Sequence, residues 1–234
     1  LHLCDRRQRQ MCIRDSINSV RLLYCYPEMI DDDLIAEVRD NPKIIKYLDI
    51  PFQHSEDRVL KMMNRRGTRL SYLALINKLR AEIPGIAIRS TFICGFPTET
   101  EEESAALGEF LKEAKLDNCG FFAYSREEGT PAYKIKCQIP AATKRKRVKN
   151  MYEIQRGISL ERMRSYIGKK LKVLCDGIAD DETCFSGRAY FSAPDIDGVV
   201  FFNAAEAEQG RYYDVIIEDA DSYNLYGRTE DYAE

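Results

Sequence analysis

Two short apolar runs, Tyr47–Ile50 and Ile86–Ile93, each stop abruptly in proline, glycine and polar residues, and helical stretches lie between them. A strand that ends this way and hands over to a helix is the repeating unit of a parallel sheet. In barrels made of such units, chemistry gathers at the C-terminal strand ends. Val20–Tyr24 reads as a further strand, stopped by Pro27, and Cys119–Tyr124 as a fourth. Asp31–Val38 reads as a helix whose opening aspartates suit the positive end of the helix dipole. Ser55 reads as the cap of a short helix carrying Val59, Leu60 and Met63. Ser71 reads as the cap of another, with Leu73, Ile76, Leu79 and Ile83 at helical spacing. Thr100 caps a helix opened by Glu101, Glu102 and Glu103 and carrying Leu107, Phe110, Leu111 and Ala114. Strands recurring at roughly 27–40 residues imply βαβ units. Four strands close neither an eight- nor a six-stranded barrel. The expectation for residues 17–140 is therefore the last four strands of a partial (βα) barrel, with its first half missing.

Residues 141–166 read as a linking helix, amphipathic from Thr143 to Tyr166 and ended by Gly168. Its opening run, Lys144 to Arg147, reads as a solvated charged face. From Lys169 the grammar changes. Lys169–Cys175, Cys184–Phe191, Val199–Asn203, Tyr212–Glu218 and Tyr223–Arg228 are short β runs separated by turn signals such as Asp176-Gly177 and Asp197-Gly198. Five such runs predict a small all-β, OB-like barrel over residues 167–234.

The longest apolar runs fall far short of the roughly 18–20 residues that a membrane span needs. No apolar stretch follows the arginines of the first ten residues, so no signal peptide is read and a cytoplasmic protein is expected. None of the eight cysteines forms a Cys-x-x-Cys pair, which argues for scattered thiols and against a metal site built from them alone. Residues 1–16 have neither apolar periodicity nor strand alternation. They resemble the in-frame translation of a transposon sequencing adapter and are set aside as a disordered artefact, the alternative being a basic arm for nucleic acid. That exclusion removes four Arg, two Asp and His2, so 35 basic and 38 acidic residues become 31 and 36, and His54 is the remaining histidine.

Three stretches carry a family resemblance: Leu48–Arg65, with Asp-Ile-Pro-Phe-Gln-His; Thr91–Thr100, with Ile-Cys-Gly-Phe-Pro-Thr-Glu; and Phe122–Ala132, with Tyr-Ser-Arg-Glu-Glu-Gly-Thr-Pro. In this order they resemble the radical-SAM methylthiotransferases. Gly187–Val200 looks like that family's TRAM domain, and Ala193-Pro-Asp-Ile-Asp-Gly198 resembles the RimO branch. That branch modifies an aspartate β-carbon of a small-subunit ribosomal protein, whereas the MiaB branch modifies tRNA adenosine. The resemblance implies a radical-SAM barrel followed by TRAM, with S-adenosylmethionine and two [4Fe-4S] clusters in the full-length protein. The family's Cys-x3-Cys-x2-Cys loop is absent here, so this chain alone is expected to be inactive and to contain no catalytic residue and no metal ligand. When complete, the site cleaves S-adenosylmethionine to a radical that takes hydrogen from the target carbon, and the protein's share is to bind and orient.

Gln53 and His54, at a strand end, are candidates for holding S-adenosylmethionine; a polar helix cap and a structural histidine are the alternatives. Arg89 and Thr91 alternate along one strand and so point the same way. Arg89 would be a buried cation for the cofactor's carboxylate, or the partner of an acid in the barrel. Gly95 and Pro97 permit close backbone approach to that cofactor, or make a plain tight turn. Glu99 and Thr100 read as helix-start residues. Glu127 and Glu128 stand in a loop at the top of the last strand and, with Asp195 and Asp197, are candidates for binding the substrate protein. Between Ile167 and Thr229 six basic residues face twelve acidic ones. Such a surface repels RNA phosphates and suits a basic protein, here a ribosomal one, with the chain itself a monomer. The remaining alternatives are a tRNA-modifying enzyme and a non-catalytic protein-binding module.

Overall fold

The computed structural model describes residues 17–180 and 182–232. The adapter-like reading of residues 1–16 lies outside the described residues. In the first part of the chain β1 (Val20–Leu22), β2 (Ile44–Asp49), β3 (Ala87–Cys94) and β4 (Asn118–Ala123) form a parallel sheet in the order β1-β2-β3-β4. The intervening helices are α1 (Asp32–Asp40), α2 (Asp57–Met62), α3 (Arg69–Glu82) and α4 (Glu101–Ala114).

Helix starts follow the side chains that satisfy their first N–H groups. Asp31 caps α1 by accepting from Leu34 N at 2.9 Å. Thr100 caps α4 in a reciprocal box with Glu103. Two expected caps are corrected. The residue before α2 is Glu56, with no side-chain cap, and the Ser55 hydroxyl instead donates to the Glu56 carboxylate at 3.2 Å. Before α3 the cap is Thr68; Ser71 is its partner in the box, donating from its N–H at 3.1 Å and accepting from Thr68 N at 2.8 Å.

One face of the sheet packs on the helices. Leu48, Ile88, Phe92 and Cys94 join Ile35, Ile76, Leu79, Phe110 and Leu111 in a single core. Aromatic rings hold its centre, with Phe52 4.5 Å from Tyr72 and Phe92 5.7 Å from Phe121 between centroids. The other face is concave, and because side chains alternate along a strand it receives Tyr47, Asp49, Arg89 and Thr91.

Helix α5 (Ala141–Arg164) then runs along β4. It donates from Lys144 Nζ to Tyr124 O at 2.9 Å, from Gln155 Nε2 to Leu116 O at 2.9 Å and from Ser159 Oγ to Asp117 O at 3.3 Å. Its Tyr152 hydroxyl accepts from Phe121 N at 3.3 Å. Phe121 N lies in β4 and the three carbonyls flank it, so α5 covers that edge of the sheet. Among the described residues no strand pairs with the outer edge of β1.

After α5, strands β5 (Lys170–Ile178), β6 (Phe185–Arg188), β7 (Val200–Asn203), β8 (Tyr212–Ala220) and β9 (Leu225–Thr229) close a barrel in the order β5-β6-β7-β9-β8. The β7–β9 pair is parallel and the other pairs are antiparallel. This is the expected five-stranded OB-like barrel. Closure needs a glycine at Gly227, where a Cβ would lie 2.1 Å from Ile216 O. The second run is shorter than expected, because after Arg188 the chain turns through residues 189–198 to meet the sheet. Alternate strand residues Val173, Cys175, Val200, Phe202, Val215 and Ile217 fill the barrel, and Tyr47, Ala87 and Met163 complete the same apolar cluster. The two units thus share side chains across their junction.

Candidate functional site

At the lower end of the concave face, Arg89 lies between two carboxylates. Its Nη1 donates to Asp49 Oδ1 at 3.0 Å and reaches Thr91 Oγ1 at 3.4 Å, while its Nε is 3.5 Å from Asp197 Oδ1. Asp197 belongs to the loop before β7. Its Oδ2 accepts from the Tyr47 hydroxyl at 2.7 Å and from Ala193 N at 2.9 Å. Arg21 stacks 4.3 Å over the Tyr47 ring and donates to the carbonyls of Tyr190 at 2.9 Å and Ser192 at 2.8 Å. Burial raises the Asp197 carboxyl above its ordinary range, against the opposing pull of Ala193 N–H, Tyr47, Arg89 and Arg21. Burial, then the charge of Asp197, pushes the Tyr47 phenol up. Of the two readings of Arg89, the structure favours an ion pair with barrel acids.

Around the upper strand ends, Gln53 has the left-handed φ of 71° and extends the ladder, donating from its N–H to Thr91 O at 2.9 Å and accepting from Ile93 N at 2.8 Å. Gln53 and Thr91 are both half-buried. His54, a cofactor candidate with a structural histidine as the alternative, is fully buried. Its Nδ1 accepts from Glu56 N at 3.0 Å and its Nε2 lies 3.6 Å from Glu99 Oε2. Glu99 is 5% exposed and organises the turn after β3. Its Oε2 accepts from Gly95 N at 2.7 Å and Phe96 N at 3.1 Å, and its Oε1 accepts from Arg147 Nη1 at 2.8 Å. Burial, then the charge of Glu99, pushes the Cys94 thiol up to about 12. Gly95 and Pro97 are buried in this turn. Gly95 has φ +75°, and a Cβ there would lie 2.5 Å from Lys144 Cγ. The close approach to Gly95 is made by Lys144, which accords with the tight-turn reading of these residues.

The four acids expected to meet a substrate protein do not form one patch. Asp197 is turned inward, with its side chain 3% exposed, whereas Asp195, two residues earlier, is exposed with φ +59°. Glu127 and Glu128 are exposed beyond the end of β4, and the Glu127 carboxylate accepts from Ser125 Oγ at 2.6 Å. Arg89, which touches Asp197, is in register with Asn118 at the start of β4. The rise of β4 from Asn118 to Ala123, about 17 Å, separates the two pairs.

Sequence reasoning missed Tyr47, Asp49, Glu99 and Arg147 as network members. A signal existed for Asp49, since an acid inside an apolar strand requires a buried partner. Nothing marked Arg147 within a run of four cations. Gln53, just after β2, and Thr91, within β3, are half-buried polar residues, and this fits S-adenosylmethionine. Among the described residues no three His, Cys, Asp or Glu side chains come together to hold a metal. No helix among them is long and apolar enough to cross a membrane.

Comparison with known proteins follows this division of the chain. Residues 6–111 match the radical SAM superfamily and residues 167–229 the TRAM domain. The first match begins inside the segment set aside as adapter-like. The ribosomal protein uS12 methylthiotransferase RimO of Lachnoclostridium phytofermentans is 44% identical over 223 residues, covering 95% of this chain and 51% of that protein. The enzyme of the same name from Thermodesulfovibrio yellowstonii is 47% identical over 209 residues, covering 89% of this chain and 49% of its own. The chain thus spans about half the length of these curated relatives. Among solved structures, coproporphyrinogen III oxidase (HemN) of Escherichia coli, a radical SAM enzyme, superposes with a TM-score of 0.55 at 18% identity, over 68% of this chain and 38% of that one. This last likeness concerns the fold alone.

Proposed function

The chain belongs to the RimO family of radical-SAM methylthiotransferases, and from that premise we propose that it is the part of such an enzyme that positions S-adenosylmethionine and docks ribosomal protein uS12. The reaction is insertion of a methylthio group at the β-carbon of an aspartate of that protein. The observation that carries this reading is the 44% identity to a uS12 methylthiotransferase over 95% of the chain, through the half-barrel and the TRAM barrel alike. S-adenosylmethionine and a [4Fe-4S] cluster would supply the radical chemistry and the methyl group. A second cluster belongs to the full-length protein.

The chain's own residues bind and orient. Gln53 and Thr91 are the polar groups offered to the cofactor. His54, Gly95 and Pro97 act behind them, as members of the buried turn that Glu99 holds in place. Arg89 fixes the lower end of the concave face between Asp49 and Asp197. The acid excess of the TRAM barrel, six basic residues against twelve acidic ones over residues 167–229, supports a basic protein partner over tRNA. Asp195, Glu127 and Glu128 are the exposed acids offered to it. A ribosomal-protein substrate places the enzyme in the cytoplasm, and it acts as a monomer.

The test uses the full-length protein that contains this chain, reconstituted with iron and sulfide and given uS12, S-adenosylmethionine and a reductant. Intact-mass analysis is expected to show one methylthio group on uS12, and peptide fragmentation to place it on an aspartate. Modification of tRNA with uS12 left untouched would overturn the reading.

A further inference from the structure

The two sides of the parallel sheet leave different openings. On the β1 side the strand edge is bare among the described residues, and Tyr24, Tyr26 and Met29 stand exposed just beyond it at 72%, 55% and 73%. Further strands of a longer polypeptide would add there, since an unpaired apolar edge recruits a strand. On the β4 side α5 packs along the edge and bonds Phe121 N within the strand and carbonyls on either side of it, so it covers that edge. That side opens instead into a cleft of about 400 Å³ between the concave face of β4, helix α5 and the TRAM barrel.

Four separate elements send large apolar side chains into this cleft. Phe122 comes from β4, Tyr152 from α5, Ile196 from the loop before β7 and Tyr223 from the β8–β9 turn; they are 57%, 40%, 50% and 47% exposed. A single exposed ring is ordinary, but four such groups converging on one concavity mark an interaction site. The charged floor is already matched, because Asp197 and Arg89 pair with each other and with Asp49. On the wall, Gln155 donates from its amide to Leu116 O and Ser159 Oγ and leaves its carbonyl oxygen without a partner. Three aromatic faces attract a cation, and the acid excess of the TRAM barrel steers one toward them against the cations of α5, of which Arg156 is held by Ser222 Oγ at 3.4 Å.

We propose that this cleft receives an arginine- or lysine-bearing segment of a polypeptide and guides it from the TRAM barrel onto the concave face. That the segment belongs to the protein substrate rests on the function proposed above. That the cleft takes a basic polypeptide does not.

The test measures fluorescence anisotropy of a labelled arginine- and lysine-rich peptide with the full chain. A glutamate-rich peptide and a single-stranded RNA of equal length serve as comparisons. The variants are Ile196→Ser, Tyr223→Ser and the double substitution, with Leu70→Ser, at a residue 79% exposed on α3, as the control. The double variant is expected to bind the basic peptide roughly tenfold more weakly, with Leu70→Ser unchanged. A photo-crosslinker at position 122 in the otherwise native chain is expected to capture the peptide, which keeps the test decisive if the double variant misfolds. Equal affinity in the double variant and the control, or no capture from position 122, overturns the proposal. RNA binding lost in the same variants overturns it as well, since the occupant would then be a nucleic acid. Basic-peptide binding that maps to the cleft while uS12 stays unmodified leaves the cleft standing and removes the uS12 reading; modified uS12 with an idle cleft does the reverse.

Discussion

Two buried arginines finish the two ends of the concave sheet, and they are held differently. At the upper end Arg147 reaches Glu99 at 2.8 Å and Glu101 at 3.1 Å, and the same Glu99 carboxylate holds the N–H groups of Gly95 and Phe96. One acid there holds an arginine and two backbone donors, with His54 Nε2 3.6 Å away and without a hydrogen-bond partner. At the lower end Arg89 has two acids, Asp49 from its own sheet and Asp197 from the TRAM barrel. The second acid of Arg147, Glu101, is 71% exposed, whereas both acids of Arg89 have buried side chains and come from two units. Buried charges are costly to orphan, so the two ends should respond unequally to loss of an acid.

The largest effect is expected for Glu99→Ala. Arg147, with its side chain 8% exposed, keeps Glu101, which is 71% exposed, and the main-chain carbonyl of residue 99 at 3.1 Å, and the turn loses the acceptor for two N–H groups. Breaking a buried pair in this way costs about 3–5 kcal/mol. Urea denaturation of the chain should show the loss as a lower midpoint, and a change below about 1 kcal/mol would mean that the turn is held by packing alone. Asp197→Ala should cost less, about 1–3 kcal/mol, because Arg89 retains Asp49 while the Tyr47 hydroxyl and Ala193 N–H lose their acceptor. Its distinguishing sign is at the junction. Limited proteolysis should cut the 189–198 segment faster in Asp197→Ala and leave the turn after β3 as resistant as in the parent chain. Equal protection of both segments would show that the shared apolar cluster alone holds the junction.

The same contrast explains what could be read before the structure. Strand alternation, the Thr100 box and the change of grammar after Gly168 are local patterns with a direct physical cause, and they gave both units and their order. The networks are not local. Arg147 sits among Lys144, Arg145 and Lys146, and only the packing of α5 against the turn after β3 decides that one of the four is buried. Asp195 and Asp197 share a turn and a residue type, yet one faces water and the other faces Tyr47 and Arg89. His54 next to Gln53 looks like a second site residue, but the left-handed backbone at Gln53 accompanies a change of environment, from half-buried to fully buried. Arg89 had two readings in the sequence because its partners, Asp49 on the neighbouring strand and Asp197 in the other unit, are both distant in the chain.

The smallest expected effect, and the sharpest in sign, concerns two aspartates of the TRAM barrel. Burial raises Asp197 above the ordinary aspartate value of 3.8. At Asp221 burial also pushes upward, but it is outweighed by the N–H groups of Asn224 and Tyr223, both at 2.7 Å, with the Tyr226 hydroxyl at 2.8 Å and the Asn224 amide adding to them, so this carboxyl is lowered. A raised acid binds its proton more tightly in the folded state, so the fold loses stability as pH rises from the ordinary carboxylate range through the folded value. A lowered acid contributes stability that is present above the ordinary value and is lost as pH falls through the folded one. Asp197→Asn should therefore gain on the parent chain as pH rises from about 4, while the deficit of Asp221→Asn should be full near neutrality and shrink on acidification. Urea midpoints of both variants and the parent, taken across that range, check the two slopes together. Slopes of the same sign would mean that Ala193 N–H, Tyr47 and Arg89 outweigh burial at Asp197 and hold its carboxylate charged.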